Sequence, residues 1–152
     1  MSEHSAATAT TIEQRVHIEA TPAEVWTFWT DPVRLCEWWG CSAELVPEAG
    51  GLFRVVMGED GPTMRGQYVT LEPPHRLVFT FGWEPSADDI ANEIPPGTTT
   101  VEVTLTAVGN ATELVLRHRD LPSGTASERH REGWARFVGE ALVAALARRD
   151  QR

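Results

Sequence analysis

Two runs of strict alternation meet across a four-residue turn in the last third of the chain. In TTTVEVTLTA (98–107) Val101, Val103 and Leu105 share one side, and in TELVLRH (112–118) Leu114, Leu116 and His118 do. The intervening VGNA places Gly109 at the first central position of a II′ turn, so the pair reads as an antiparallel hairpin. The pattern extends backwards. SAELV, LFRVVM, TMRGQYVTLE and HRLVFTFGW are separated by PEAGG, GEDGP and a Pro-Pro break. In the last of these, Leu77, Phe79, Phe81 and Trp83 share a face opposite Val78 and Thr80. An earlier strand carries Ile12, Val16 and Ile18 on one side. Short turns between strands make the sheet antiparallel, and such a sheet buries one face.

What covers that face is written at the C-terminus. His130, Trp134, Phe137, Val138, Ala141, Leu142, Ala145 and Leu146 recur at three- and four-residue steps, the pattern of one long amphipathic helix. Thr125 and Glu128 have the spacing of a capping box for it. Gly133 and Gly139 each cost about 1 kcal/mol against alanine in a helix interior, which points to close packing or to room left for something else. Two short helices are expected after the first strand. Thr21, Pro22 and Glu24 form a capping box with proline in the first turn; Asp31 and Pro32 repeat the start, with the second helix running to about Trp38. The fold class is therefore α+β: a curved antiparallel sheet of about seven strands, two short helices after strand 1, and a long C-terminal helix. A twisted sheet curls away from a straight helix, so a gap between them is expected.

The 152 residues fit a single domain, taken as 11–149 behind a frayed tail over 1–10. A formal charge of −9 argues against nucleic acid and anionic membrane as partners. All thirteen basic residues are arginine. No apolar run is long enough for a membrane helix, and the first residues lack the pattern of a signal peptide, so a cytoplasmic location is expected.

TPAEVWTFWTDPVRLCEWW, the Gly-Gly before LFRV, GQYVTLEPPHRLVFTF, TELVLRHRDLP and ERHREGW together resemble the START-like (SRPBCC) superfamily. More narrowly, they are similar to bacterial relatives of the C-terminal domain of the heat-shock-protein-90 ATPase activator. The likeness spans about residues 12–148. It implies a helix-grip fold around a cavity for small, often apolar molecules, without implying one reaction.

The candidate site residues follow from the two facing layers. Phe53, Met57, Phe79, Phe81 and Trp83 on the sheet, and Trp134 and Val138 on the helix, give an aromatic-rich lining. Trp38 and Trp39 are adjacent, and two adjacent helical residues cannot face the same way; Trp39 is taken as the inward one, at the cavity mouth. His118 and His130 point towards the same space and can anchor a ligand, serve as acid or base, or make structural hydrogen bonds. Cys36 and Cys41 are too far apart for a C-x-x-C motif and read as small buried hydrophobes, so neither a metal nor a cofactor is expected. Asp88, Asp89 and Glu93 read as a solvated acidic face within EPSADDIANEIPPG, a loop that is either a lid or simply exposed.

The leading expectation is a binding protein for a small apolar or aromatic ligand, with a homodimer possible. A cyclase or lyase using His118 or His130, and a co-chaperone-like interaction domain, are the alternatives.

Overall fold

The computed structural model describes residues 9–40, 42–58, 61–122 and 124–149. The expected frayed tail therefore lies outside the described residues for 1–8, while Ala9 and Thr10 already belong to a strand. Seven strands form one antiparallel open sheet: β1 (Ala9–Ile18), β2 (Ser42–Leu45), β3 (Leu52–Val56), β4 (Thr63–Glu72), β5 (Arg76–Phe81), β6 (Thr99–Val108) and β7 (Ala111–Pro122). Their order is β1-β7-β6-β5-β4-β3-β2, so the first two strands of the chain are the two edges. The hairpin that anchored the sequence reading is present, with Val108 opposite Ala111 and Val101 opposite His118.

Helices α1 (Pro22–Thr30) and α2 (Pro32–Leu35) carry the chain from one edge to the other. Thr21 Oγ1 accepts from the Glu24 amide at 3.3 Å, and Glu24 Oε1 accepts from the Thr21 amide at 3.0 Å. That reciprocal cap is worth about 1 kcal/mol. Arg149 then donates twice to the same carboxylate, at 3.0 and 3.1 Å, tying the end of the chain to the start of α1. Asp31 caps α2 by accepting from the Arg34 amide at 3.0 Å.

The C-terminal helix runs as α4 (Thr125–Arg136), a π-helical turn (Phe137–Leu142) and α5 (Val143–Arg148). Between β5 and β6, residues Asp89–Asn92 form a third short helix, α3. The long helix packs Trp134, Val138, Leu142, Ala145 and Leu146 into the core, all but fully buried. Among the described residues no helix is long and apolar enough to cross a membrane.

Three local expectations are corrected. The Thr125–Glu128 capping box does not form: Gly124 takes the cap position with no side-chain bond, Ser127 Oγ donates to the Gly124 carbonyl at 3.0 Å, and Thr125 is already inside the helix. Helix α2 stops at Leu35, three residues early, so Trp38 and Trp39 sit in an irregular turn. The helical rule that sends adjacent residues to opposite sides does not apply there, and both indoles are buried, 4% and 2% exposed. Trp38 stacks on Trp39 at 5.6 Å and donates its Nε1–H to the Phe28 carbonyl at 2.8 Å. Cys36 is half-buried, whereas Cys41 lies outside the described residues.

Candidate functional site

The inward residues of the long helix, Trp134, Val138, Leu142, Ala145 and Leu146, join the inner face of the sheet in one core, which is left open at one end. There a pocket of about 180 Å³ opens between the first half of the helix and the end of β5. Its walls come from several elements. Trp39 arrives from the turn after α2, Met57 and Pro62 from the β3–β4 connection, and Phe81 and Trp83 from β5 and its extension. The loop before β6 adds Asp88, Ile90 and Ala91, and the long helix adds Arg129, His130, Gly133, Trp134 and Phe137. Of the residues expected at the site, Trp39, Met57, Phe81, Trp83, His130 and Trp134 are brought together here. Phe53, Phe79, His118 and Val138 are not among the lining residues. Phe53 and Phe79 stack on each other at 4.1 Å, both 0% exposed, deeper between the layers.

The acidic loop reaches the pocket because Gly82 lets it. A Cβ at residue 82 would stand 1.9 Å from the Pro95 carbonyl oxygen, so only glycine allows the two segments this close. Trp83 N–H donates to the Ile94 carbonyl at 2.7 Å, and Ile94 is fully buried. Asp88 caps α3 by accepting from the Ile90 and Ala91 amides at 2.9 and 3.1 Å. Asp88, Asp89 and Glu93 are exposed, as a solvated acidic face requires, yet the loop between them is packed down.

The two histidines are each held by a tryptophan. Trp134 Nε1–H donates to His118 Nδ1 at 3.0 Å. An indole N–H only donates, so Nδ1 carries the lone pair and, in the neutral ring, Nε2 carries the proton. That Nε2–H donates to Thr99 Oγ1 at 2.8 Å, and the Thr99 hydroxyl donates to the Phe81 carbonyl at 2.8 Å. The chain of three bonds clamps the helix to β7, β6 and β5 and leaves His118, 0% exposed, with both nitrogens occupied. His130 has the other tautomer. Trp83 Nε1–H donates to its Nε2 at 3.0 Å, and its Nδ1–H donates to the Ala126 carbonyl at 2.7 Å. Phe81 packs against both rings, edge-on at 4.4 Å from His118 and 5.6 Å from His130, and the two imidazoles are 5.8 Å apart.

Burial pushes the His118 imidazole well below its usual 6.5, and the nearby His130 adds to the effect. Burial also lowers His130, opposed by the bond to Ala126 and the charge of Asp88. Both folded-state values lie below the unfolded one, so the unfolded chain takes up protons first as the pH falls. Stability present above about pH 6.5 is lost as the pH drops through the folded values. Glu24, Glu84 and Glu102, held below 4.5 by arginine partners, act in a lower window. The urea midpoint is therefore expected to fall between about pH 7.5 and about pH 5. A midpoint constant over that range would contradict two neutral, indole-bound imidazoles.

Among the described residues no cluster of three or more His, Cys, Asp or Glu stands ready to hold a metal ion. The Trp29 Nε1–H is buried without a hydrogen-bond partner, but Trp29 packs in the core against Trp38 and Phe79, away from the pocket.

A family model described as Activator of Hsp90 ATPase homolog 1-like protein matches residues 19–147. The chain belongs to this family. The AHSA1-like protein from Rhizobium etli, known from a solution structure, is 36% identical over 90% of this chain and 82% of that one, with a TM-score of 0.67. DynU16, from the dynemicin biosynthetic locus, is 26% identical over 90% of this chain and 47% of that one, with a TM-score of 0.73. The Aha1 dimer from Colwellia psychrerythraea, at 19% identity, shares the fold over 90% of this chain and 96% of that one, with a TM-score of 0.69. No curated protein sequence matches the chain. The seven-stranded antiparallel sheet with its C-terminal helix is the fold of this AHSA1-like, START-type family.

Sequence reasoning missed Pro62, Asp88, Ile90, Ala91 and Arg129 at the pocket. The three loop residues carried a signal, since the long proline-bounded loop was open to reading as a binding loop. Of the other lining residues, Phe137 belongs to the expected inward face of the helix and Gly133 to the positions that point to close packing or to room; neither is among the expected site residues.

Proposed function

We propose that this AHSA1-like protein binds a small apolar or aromatic molecule in the pocket between the long helix and the end of β5. Trp39, Met57, Phe81, Trp83, His130 and Trp134 are the contact residues in this reading. The observation that carries it is Gly133. In the interior of a twelve-residue helix it forgoes about 1 kcal/mol of helix propensity, and a Cβ there would meet nothing within 4 Å. The glycine is not needed for packing; it leaves space among aromatic walls. The volume of about 180 Å³ exceeds the roughly 150 Å³ apolar cavity that holds one benzene ring. Native mass spectrometry and thermal melting with methyl 2-naphthoate test the reading. A one-to-one adduct and a saturable rise in Tm are expected; no adduct and no shift at the solubility limit would overturn it.

The acid–base alternative draws less support from the geometry. Both imidazole lone pairs are taken by indole N–H groups, and Asp88, the carboxylate whose charge His130 feels, caps a helix. The family description favours a second reading, an interaction with a chaperone ATPase through the outer surface. The exposed large apolar side chains among the described residues are Val33, Val46, Val69 and Val108, on separate elements. A pull-down that survives filling of the pocket would support that reading over ligand binding.

A further inference from the structure

Arginine in this chain is rarely left without a partner. Eight of the described arginines form ion pairs with glutamate. Arg34 lies over the Phe28 ring and Arg148 donates to the Glu37 carbonyl. Arg129 and Arg136 remain, and only Arg129 lines the pocket. Glu132 stands three residues further along the same helix, a spacing that permits an ion pair, and none forms. The chain's net charge of −9 reflects an excess of carboxylates, and Arg129 pairs with none of the described ones.

The remainder of the lining sets the other half of the specificity. The polar atoms of His130 are occupied by Trp83 and Ala126, and one oxygen of Asp88 accepts two backbone amides. Arg129 is thus the one cationic lining side chain, and among the described residues no ion pair or hydrogen bond holds its five donors, a planar fork suited to a carboxylate. The apolar walls are dominated by the flat faces of Trp39, Phe81, Trp83 and Trp134. We propose that the ligand is an aryl carboxylate, with one or two rings between the indoles and its anionic group directed out to Arg129 at the rim. This rests on the ligand-binding reading above and names its substrate class.

Isothermal titration of the full chain with three matched probes tests it: 2-naphthoate, the neutral methyl 2-naphthoate, and 2-naphthylmethylammonium. The carboxylate is expected to bind about fivefold tighter than the ester, the upper range for a partly exposed ion pair, and the ammonium weakest. In Arg129→Ala the carboxylate should lose that advantage and bind no tighter than the ester does to the same variant. Arg129 is exposed and without an ion pair, so the variant is expected to fold, and its Tm verifies this. A preference for carboxylate that persists in Arg129→Ala, an ester that matches the carboxylate in the native protein, or an ammonium that binds tightest through Asp88 would each overturn the assignment and leave the pocket's binding role standing. Binding of none of the three would overturn the binding reading itself, and the assignment with it.

Discussion

Replacing Trp134 with alanine is expected to lower the unfolding free energy by about 3–5 kcal/mol, read from urea denaturation. The indole is 3% exposed and packs between Trp39, Phe81 and His118, with ring centroids 5.2, 6.0 and 6.0 Å away. Truncation removes that packing and enlarges a void that already adjoins the site. It also orphans His118 Nδ1, a fully buried acceptor whose desolvation then goes uncompensated. Trp134→Phe separates the two contributions: it retains most of the ring but lacks the donor, and should cost about 1–3 kcal/mol. A loss well under about 1 kcal/mol for the alanine variant would mean that the indole–imidazole clamp does not hold the helix to the sheet.

Gly133→Leu is expected to reduce the affinity for methyl 2-naphthoate by more than about a hundredfold, or roughly 3 kcal/mol, without destabilising the fold. The two effects separate because of where the residue lies. Its Cβ position is open, so the leucine stem meets no backbone, and the helix gains up to about 1 kcal/mol of propensity relative to glycine. The branched end occupies the volume the ligand requires. Gly133→Ala, with a single added carbon, should bind more weakly than the native chain and melt higher. Calorimetry and thermal melting on the same samples check both halves. Undiminished affinity in the leucine variant would place the ligand elsewhere, and a lower Tm would mean the open space is needed for packing.

The readings that came through from sequence share a physical basis: they depend on neighbours in the chain. The β6–β7 hairpin follows from alternation around a two-residue turn, the α1 capping box from residues three apart, and the inward face of the long helix from its period. The same patterns placed Phe81, Trp83, His130 and Trp134 on facing surfaces. They failed where a local rule met a tertiary exception. Trp38 and Trp39 were assigned opposite sides because a helix was expected to continue; it ended at Leu35, and the turn allowed both rings to be buried. Thr125 had the spacing of a cap, but Gly124 opened the helix one residue earlier.

The chemistry at the pocket was beyond sequence for a different reason. Two histidines and two tryptophans on facing elements are compatible with ligand anchors, acid–base groups or structural bonds. What the structure adds is the pairing of nitrogens with indoles, each at 3.0 Å, between segments far apart in the chain. The approach of the acidic loop through Gly82, and the lone position of Arg129, likewise depend on distances between segments far apart in the chain. Sequence by itself determined the strands, their antiparallel pairing and the helix that covers them, because periodicity and turn geometry are local. Only tertiary structure decided where the two layers part, since a gap of about 180 Å³ is a property of curvature and close packing that no single segment encodes.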